Sequence, residues 1–159
     1  MKFRIACATA SLVALTVLGG AVLPAQAAST ASGKSVSATA NAPRVTVHYD
    51  VGANGLQIAA AISGIREDNR GRFVQRVVDT AFDVSGGRFD VVVMNLSQNY
   101  SERLDGKHLY ANIQWGNVYY GLWLAEAGQF TNSGDAGWIN WGVRGWFDRN
   151  GNTVNFHRR

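Results

Sequence analysis

Between Arg44 and Val51 the chain alternates, with Val45, Val47 and Tyr49 on one side and Thr46, His48 and Asp50 on the other. That period of two predicts a half-buried strand. A turn at "GANG" follows, and then Leu56, Ala59, Ala60, Ile62 and Ile65 recur at helical spacing. Asp68-Asn69-Arg70-Gly71 interrupts the pattern, Phe73, Val74, Val77, Val78, Ala81 and Phe82 resume it, and Gly86-Gly87 closes it. Arg88–Leu96 is almost continuously apolar, as expected of a central strand covered on both faces. "SQNYSERLDG" reads as a polar loop and "GQFTNSGDAG" as a glycine-rich one. Two hairpins complete the chain. "KHLYANIQW" and "VYYGLWLAE" flank a turn at Gly116-Asn117, and the tail folds back at Asn150-Gly151.

Strand side chains alternate and directly paired residues share a side, so each hairpin divides into two faces. In the first, Ile113, Trp115, Val118, Tyr120, Leu122 and Leu124 make an apolar side, and Tyr110, Asn112, Gln114, Tyr119 and Trp123 lie opposite. In the second, Phe147 is expected opposite Val154, with Ile139, Trp141 and Val143 continuing the apolar side. Its other side carries Trp138, Asn140, Arg144, Trp146, Asn155 and His157. Trp115 and Trp141 therefore read as core. Tyr110, Tyr119, Trp123, Trp138 and Trp146, set among amides and Arg144, read as a face for a planar ligand such as a glycan or nucleic acid. The competing arrangement is that the helices cover this same face and bury its rings. The expected fold class is α+β: a twisted, mainly antiparallel sheet of about six strands with the Leu56–Phe82 helical stretch on one face.

The N-terminus alters the composition. Lys2 and Arg4, an apolar run from Ile5 to Leu23 and Ala25-Gln26-Ala27 fit a signal peptide over residues 1–27, with Ala28 as the expected mature start of a secreted, extracellular protein. Residues 28–42 are small and polar and read as a disordered spacer, leaving 43–159 as one domain, expected to be monomeric and without stable membrane insertion. The whole chain has 15 basic and 11 acidic residues. Loss of Lys2 and Arg4 leaves 13 against 11, a net of +2 that by itself calls for no polyanion. The single cysteine, Cys7, leaves with the leader, so no disulfide is expected in the exported form.

Catalytic patterns are sparse. His48, His108 and His157 lack metal-ligand spacing, and "DRNGN" resembles a calcium loop without its closing glutamate, so neither a metal nor a cofactor is expected. Glu102, Glu126 and Asp135 are the acids that could pair as glycosidase carboxylates, with solvated loop positions as the alternative.

Two stretches resemble known families. The order strand, helix with "AISGIRED", strand "RFDVVVMNLS" and hairpin with "NVYYG" resembles the N-terminal sheet region of ribosome-inactivating proteins, the RNA N-glycosidases that remove an adenine from ribosomal RNA, over about Val45 to Ala125. That resemblance implies that Tyr119 stacks on adenine, with Glu126 the first candidate for a carboxylate. The family's catalytic Glu and Arg lie on a long downstream helix, and a β-hairpin is expected here where that helix would begin. Without that carboxylate and cation the transition state loses its main electrostatic support. Separately, "FTNSGDAGWINW" with its closing hairpin resembles small secreted bacterial stress proteins. The expectation is a secreted stress- or defence-associated binding module that is not an enzyme, contacting its ligand through Tyr110, Tyr119, Trp123, Trp138, Arg144 and Trp146. An adenine-removing toxin using Tyr119 and Glu126 is the alternative.

Overall fold

The computed structural model describes residues 42–159. The expected signal peptide and nearly all of the spacer lie outside the described residues. The elements run β1 (Arg44–Asp50), α1 (Gly55–Ser63), α2 (Arg70–Val84), β2 (Asp90–Asn95), β3 (Tyr100–Asp105), β4 (Leu109–Trp115), β5 (Val118–Ala125), β6 (Ala127–Asn132), β7 (Trp141–Arg144), β8 (Phe147–Asn150) and β9 (Thr153–Phe156). The fold is α+β with antiparallel pairing throughout, but its nine strands form two sheets where one of about six was expected. The larger has the order β1-β4-β5-β2-β7 and the smaller β3-β6-β9-β8.

Three layers result. Phe73, Val74, Val77, Val78 and Ala81 of α2, with Ile58 and Ile62 of α1, pack on Val91, Val93, Leu109, Ala111, Ile113, Tyr120, Leu122 and Leu124 of the larger sheet. Its opposite face, with Val92, Met94, Trp123 and Trp141, packs on Leu104, Phe130, Val154 and Phe156 of the smaller sheet. β2, covered on both sides, is buried along its whole length, as its unbroken apolar run implied. The face expected to be either open or helix-covered is thus roofed by a second sheet, and the helices take the other side.

The helices begin by different devices. Asn69 caps α2 by accepting the Arg72 N–H at 3.0 Å. Asn54, at the start of α1, is left-handed and makes no side-chain cap; the Asp50 carboxylate accepts the N–H groups of Ala53 and Gly55 at 2.9 and 2.8 Å in its place. Leu56, counted on the buried stripe from its spacing, is instead 80% exposed in the first turn of α1.

The second sheet comes largely from stretches expected to be loops. In β3, Tyr100 and Leu104 face inward with Glu102 between them, and that charge broke the apolar alternation. β6 buries Phe130 and Asn132, but Gly128 and Gln129 masked its strand pattern. The tail divides: Trp141–Arg144 joins the larger sheet beside β2, and only β8 and β9 form the closing hairpin. Its turn is Gly151-Asn152, one residue beyond the expected position, because Asn150 pairs with Thr153. Sliding a turn by one residue moves the pairing by two, so Phe147 meets Phe156 and not Val154 while every side chain keeps its face.

Candidate functional site

The two sheets differ in width. Past edge strand β3 the larger sheet continues through β4 to β1, and the overhang opens a cleft of about 760 Å³. Tyr49, Tyr110 and Trp123 line it from the larger sheet; Tyr100, Glu102, Leu104 and Asp105 line it from β3, and Gly106 and Lys107 close one end. Its floor is a packed aromatic group. Trp123 lies 5.3 Å from Tyr110 and 5.5 Å from Tyr100, centroid to centroid, and Tyr100 stacks on buried Phe130 at 5.5 Å with 9° between the planes.

Tyr49 reaches the cleft through a β-bulge. β1 pairs with β4 in regular steps from Arg44↔Gln114 to Val47↔Ala111, and then Tyr49 pairs with Tyr110, so His48 is the extra residue. Strict alternation would put Tyr49 beside Val45 and Val47 under the helices. The bulge reverses its side and turns it into the cleft, where it is 47% exposed. His48 stacks on Tyr110 at 5.5 Å. The pattern "RVTVHYDV" carries no signal of that extra residue, so Tyr49 was missed as a candidate.

Glu102, considered from sequence only as one of three acids that could pair, also lines the cleft. One carboxylate oxygen pairs with the Lys107 ammonium at 3.1 Å, and the other is buried with no hydrogen-bond partner among the described residues. Burial, and then the neighbouring Tyr110 and Glu102, push the Tyr100 hydroxyl above its ordinary value, so it stays a neutral donor and acceptor. Asn112, which faces Gly121 under the Trp123 ring, also has a buried unpaired oxygen.

The expected binding residues do not share one surface. Tyr110 and Trp123 belong to the cleft. Tyr119 is 51% exposed at the far end of the β4–β5 hairpin, in a separate depression with Arg70, Asn95, Ser97 and Asn117. Trp138 is 61% exposed, and its ring lies flat against Gly71 at the start of α2. Arg144 turns toward the helices, pairs with Asp79 and Asp83 and covers the Phe82 ring at 4.5 Å. Trp146 is half-buried between Phe82 and the Arg159 guanidinium. Packing and ion pairs, then, account for Arg144 and Trp146.

Tyr119 and Glu126 are also apart. They flank opposite ends of β5, about 23 Å from each other at the rise of an extended strand. Glu126 lines its own small depression and pairs with His108 and Arg158, both at 2.9 Å. The His108 imidazole stacks on Phe89; burial lowers its pKa, but hydrogen bonds to Glu126 and Val51 outweigh this and raise it. Asp135 is engaged within its loop, accepting from Gly137 and Asn140. The three acids considered as a glycosidase pair therefore lie in three places, and only Glu102 faces the cleft. Among the described residues no group of three or more His, Cys, Asp or Glu is placed to hold a metal ion. No helix there is long and apolar enough to cross a membrane.

The "NSGDAGWINW" stretch is explained by structure. Asn140, 3% exposed, accepts from Arg70 at 2.6 Å and Asn95 at 2.9 Å and donates to Asp135 at 2.9 Å, joining α2, β2 and the loop. The Trp141 indole donates to the Ala136 carbonyl.

Fold and site define a three-layer α+β domain with one aromatic, carboxylate-bearing cleft where its two sheets part. The chain is 46% identical over 114 residues to the Stress response protein YvgO of Bacillus subtilis (strain 168), an alignment covering 72% of this chain and 70% of that one. It belongs to the family of that stress response protein. No family model matches the chain. No solved structure matches it.

Proposed function

We propose that the protein is an exported, stress-associated binding module that holds a glycan in the cleft between β1, β3, β4 and β5, and performs no chemistry on it. The stress role is carried over from the relative's name. Export rests on the signal-peptide pattern of residues 1–27, and N-terminal sequencing of protein recovered from the medium should begin at Ala28.

The observation that carries the reading is the cleft itself, in which four aromatic residues and the Glu102 carboxylate line one space. Ring faces stack on the C–H faces of sugars, and a carboxylate oxygen accepts from their hydroxyls. The charge balance favours a glycan over a nucleic acid. Two carboxylates, Glu102 and Asp105, outnumber the single ammonium of Lys107, and the excess negative charge repels phosphates. No comparable support exists for adenine removal, since Tyr119 and Glu126 occupy different depressions.

The test is titration with a panel of soluble β-1,4-linked glucose and N-acetylglucosamine oligomers, followed through the indole N–H resonance of Trp123. The expected result is a saturable shift at Trp123 that Tyr49→Ala reduces about tenfold in affinity or more, since one ring–sugar stack contributes on the order of 1–2 kcal/mol. Tyr49 is half-exposed, so its truncation should leave folding intact. A panel that moves no Trp123 signal defeats the reading.

A further inference from the structure

We infer that the depression at Tyr119 is a second binding site, which takes the oxyanion of a small ring-bearing acid, a carboxylate or a phosphate ester. It stands independently of the glycan reading, because the depression and the cleft have no lining residue in common. Arg70 carries the inference. Arg72, Arg144 and Arg158 each meet a carboxylate, but Arg70 forms no ion pair among the described residues. Its Nε donates to the Tyr120 hydroxyl at 2.7 Å and its Nη2 to the Asn140 oxygen at 2.6 Å. Both partners are buried and neutral, so they fix the guanidinium without cancelling its charge. Those two bonds use one edge of the fork and leave both N–H groups of Nη1 without a partner among the described residues. The side-chain atoms there that are both buried and unpaired are Glu102 Oε2, Asn112 Oδ1 and Trp115 Nε1, so Nη1 is open to solvent.

The rest of the depression, about 370 Å³ in all, adds donors and no acid. Asn117, exposed in the Gly116-Asn117 turn, and Tyr119 offer an amide and a hydroxyl that make no hydrogen bond among the described residues. The acids next to Arg70 in sequence, Glu67 and Asp68, are held by Arg72, and Asp135 is linked to it only through Asn140. A neutral ligand would leave the guanidinium charge unmet, whereas an oxyanion accepts charge-assisted hydrogen bonds from its free edge. Tyr119 is half-exposed and pairs with no other ring among the described residues, so packing does not account for it as it does for Trp146. With Leu96 and Val118 beside it, that ring is the surface for the body of the ligand.

The experiment is NMR titration of the protein at neutral pH with phenyl phosphate, benzoate, inorganic phosphate and neutral benzyl alcohol. It is read at the backbone amides of Asn117 and Tyr119 and at the Trp123 indole N–H. Phenyl phosphate or benzoate should shift both amides saturably, leave the Trp123 indole unmoved and bind about tenfold more tightly than benzyl alcohol. The tighter of the two acids assigns the oxyanion as phosphate or carboxylate. Inorganic phosphate should bind about tenfold more weakly than phenyl phosphate, and Tyr119→Ala, a change at a half-exposed side chain, should erase that difference. Asn117→Asp, at an exposed turn position that accepts either residue, sets a carboxylate in the depression and should weaken both acids about tenfold. Benzyl alcohol binding as well as the acids overturns the oxyanion. Inorganic phosphate binding as tightly as phenyl phosphate overturns the ring. Unchanged affinity in Asn117→Asp, or shifts that centre on the Arg158 depression, overturns the site itself.

Discussion

Replacing Asn140 by alanine should be among the most damaging single changes away from the apolar layers. Its oxygen accepts two hydrogen bonds, from the Arg70 guanidinium at 2.6 Å and the Asn95 amide at 2.9 Å, and its nitrogen donates to the Asp135 carboxylate at 2.9 Å. Asn140 and Asn95 are both 3% exposed, so water reaches the severed partners poorly. A hydrogen bond to a charged group contributes about 1.5–3 kcal/mol and a neutral one about 0.5–1.5, and a network loses less than the sum of its parts. Asp135 is solvent-exposed, and its bond belongs at the low end. The expected loss is about 3–4 kcal/mol, a large share of the ~5–15 kcal/mol that stabilises a domain of this size. Urea unfolding followed by tryptophan fluorescence measures it, with the slope against denaturant unchanged. Asn140→Asp keeps both acceptor bonds but sets a carboxylate against Asp135, so its cost should shrink at acid pH. A loss below about 1 kcal/mol in Asn140→Ala would show the network to be solvated, and its role in joining α2, β2 and the loop would be wrong.

Two further outcomes can be measured the same way. Burial pushes the Asp90 carboxyl up to about 6, against smaller downward pulls from the Trp146 N–H, Arg159 and His157. Since its folded value exceeds the unfolded one of ~3.9, its stability contribution is complete below that value and fades as pH rises through about 6. Allowing for partial solvent screening, Asp90→Asn should stabilise the protein by about 1–2 kcal/mol at neutral pH and flatten this part of the profile; an unchanged profile would contradict it. His108 acts in the same direction, its contribution fading as pH rises through its raised value, whereas Glu126, lowered by His108 and then Arg158, loses its contribution as pH falls below the ordinary carboxylate range. Greatest stability is thus expected on the mildly acid side of neutrality. Gly128→Ala should cost about 3 kcal/mol or more, because its φ of +114° disfavours a side chain and the added Cβ would collide with the Arg103 carbonyl oxygen across the β3–β6 ladder. A near-neutral result would mean that β3 can move aside.

What could be read from the chain depended on whether apolar residues formed unbroken patterns. β2 declared itself by an uninterrupted run, and the two sides of the β4–β5 hairpin followed correctly from a turn at Gly116-Asn117. The stretches that make the second sheet did not declare themselves. β3 is six residues long with a charge at its centre, and β6 carries a glycine at its contact with β3. Without those strands the only cover in view for the aromatic face was the helices, which take the other side, and rings scattered over several surfaces were grouped as one. Tyr110 and Trp123 were placed on the correct side of their hairpin. Tyr49 was lost because a single bulged residue reverses which side it takes.

The layer between the sheets grades from one end to the other. Towards β7 and β9 it is filled by Phe130, Trp141, Val154 and Phe156, and at the overhang the rings become Tyr100, Tyr110 and Tyr49. A ring whose edge reaches water is better accommodated as tyrosine than as phenylalanine, so the tyrosines alone require no ligand. Glu102 is different. An inward-pointing charge on an edge strand prevents unwanted strand pairing, and that accounts for an acid in β3. It does not account for an acid whose second oxygen is withdrawn from water and left unpaired, at a cost on the order of 1–3 kcal/mol or more for a charged group. An exposed acid one position along the strand would leave no such oxygen. Glu102 supplies what the tyrosines lack, a carboxylate fixed by Lys107 in the lining of an aromatic cleft, and the cost of its withdrawn oxygen marks the position as one that strand protection alone does not explain.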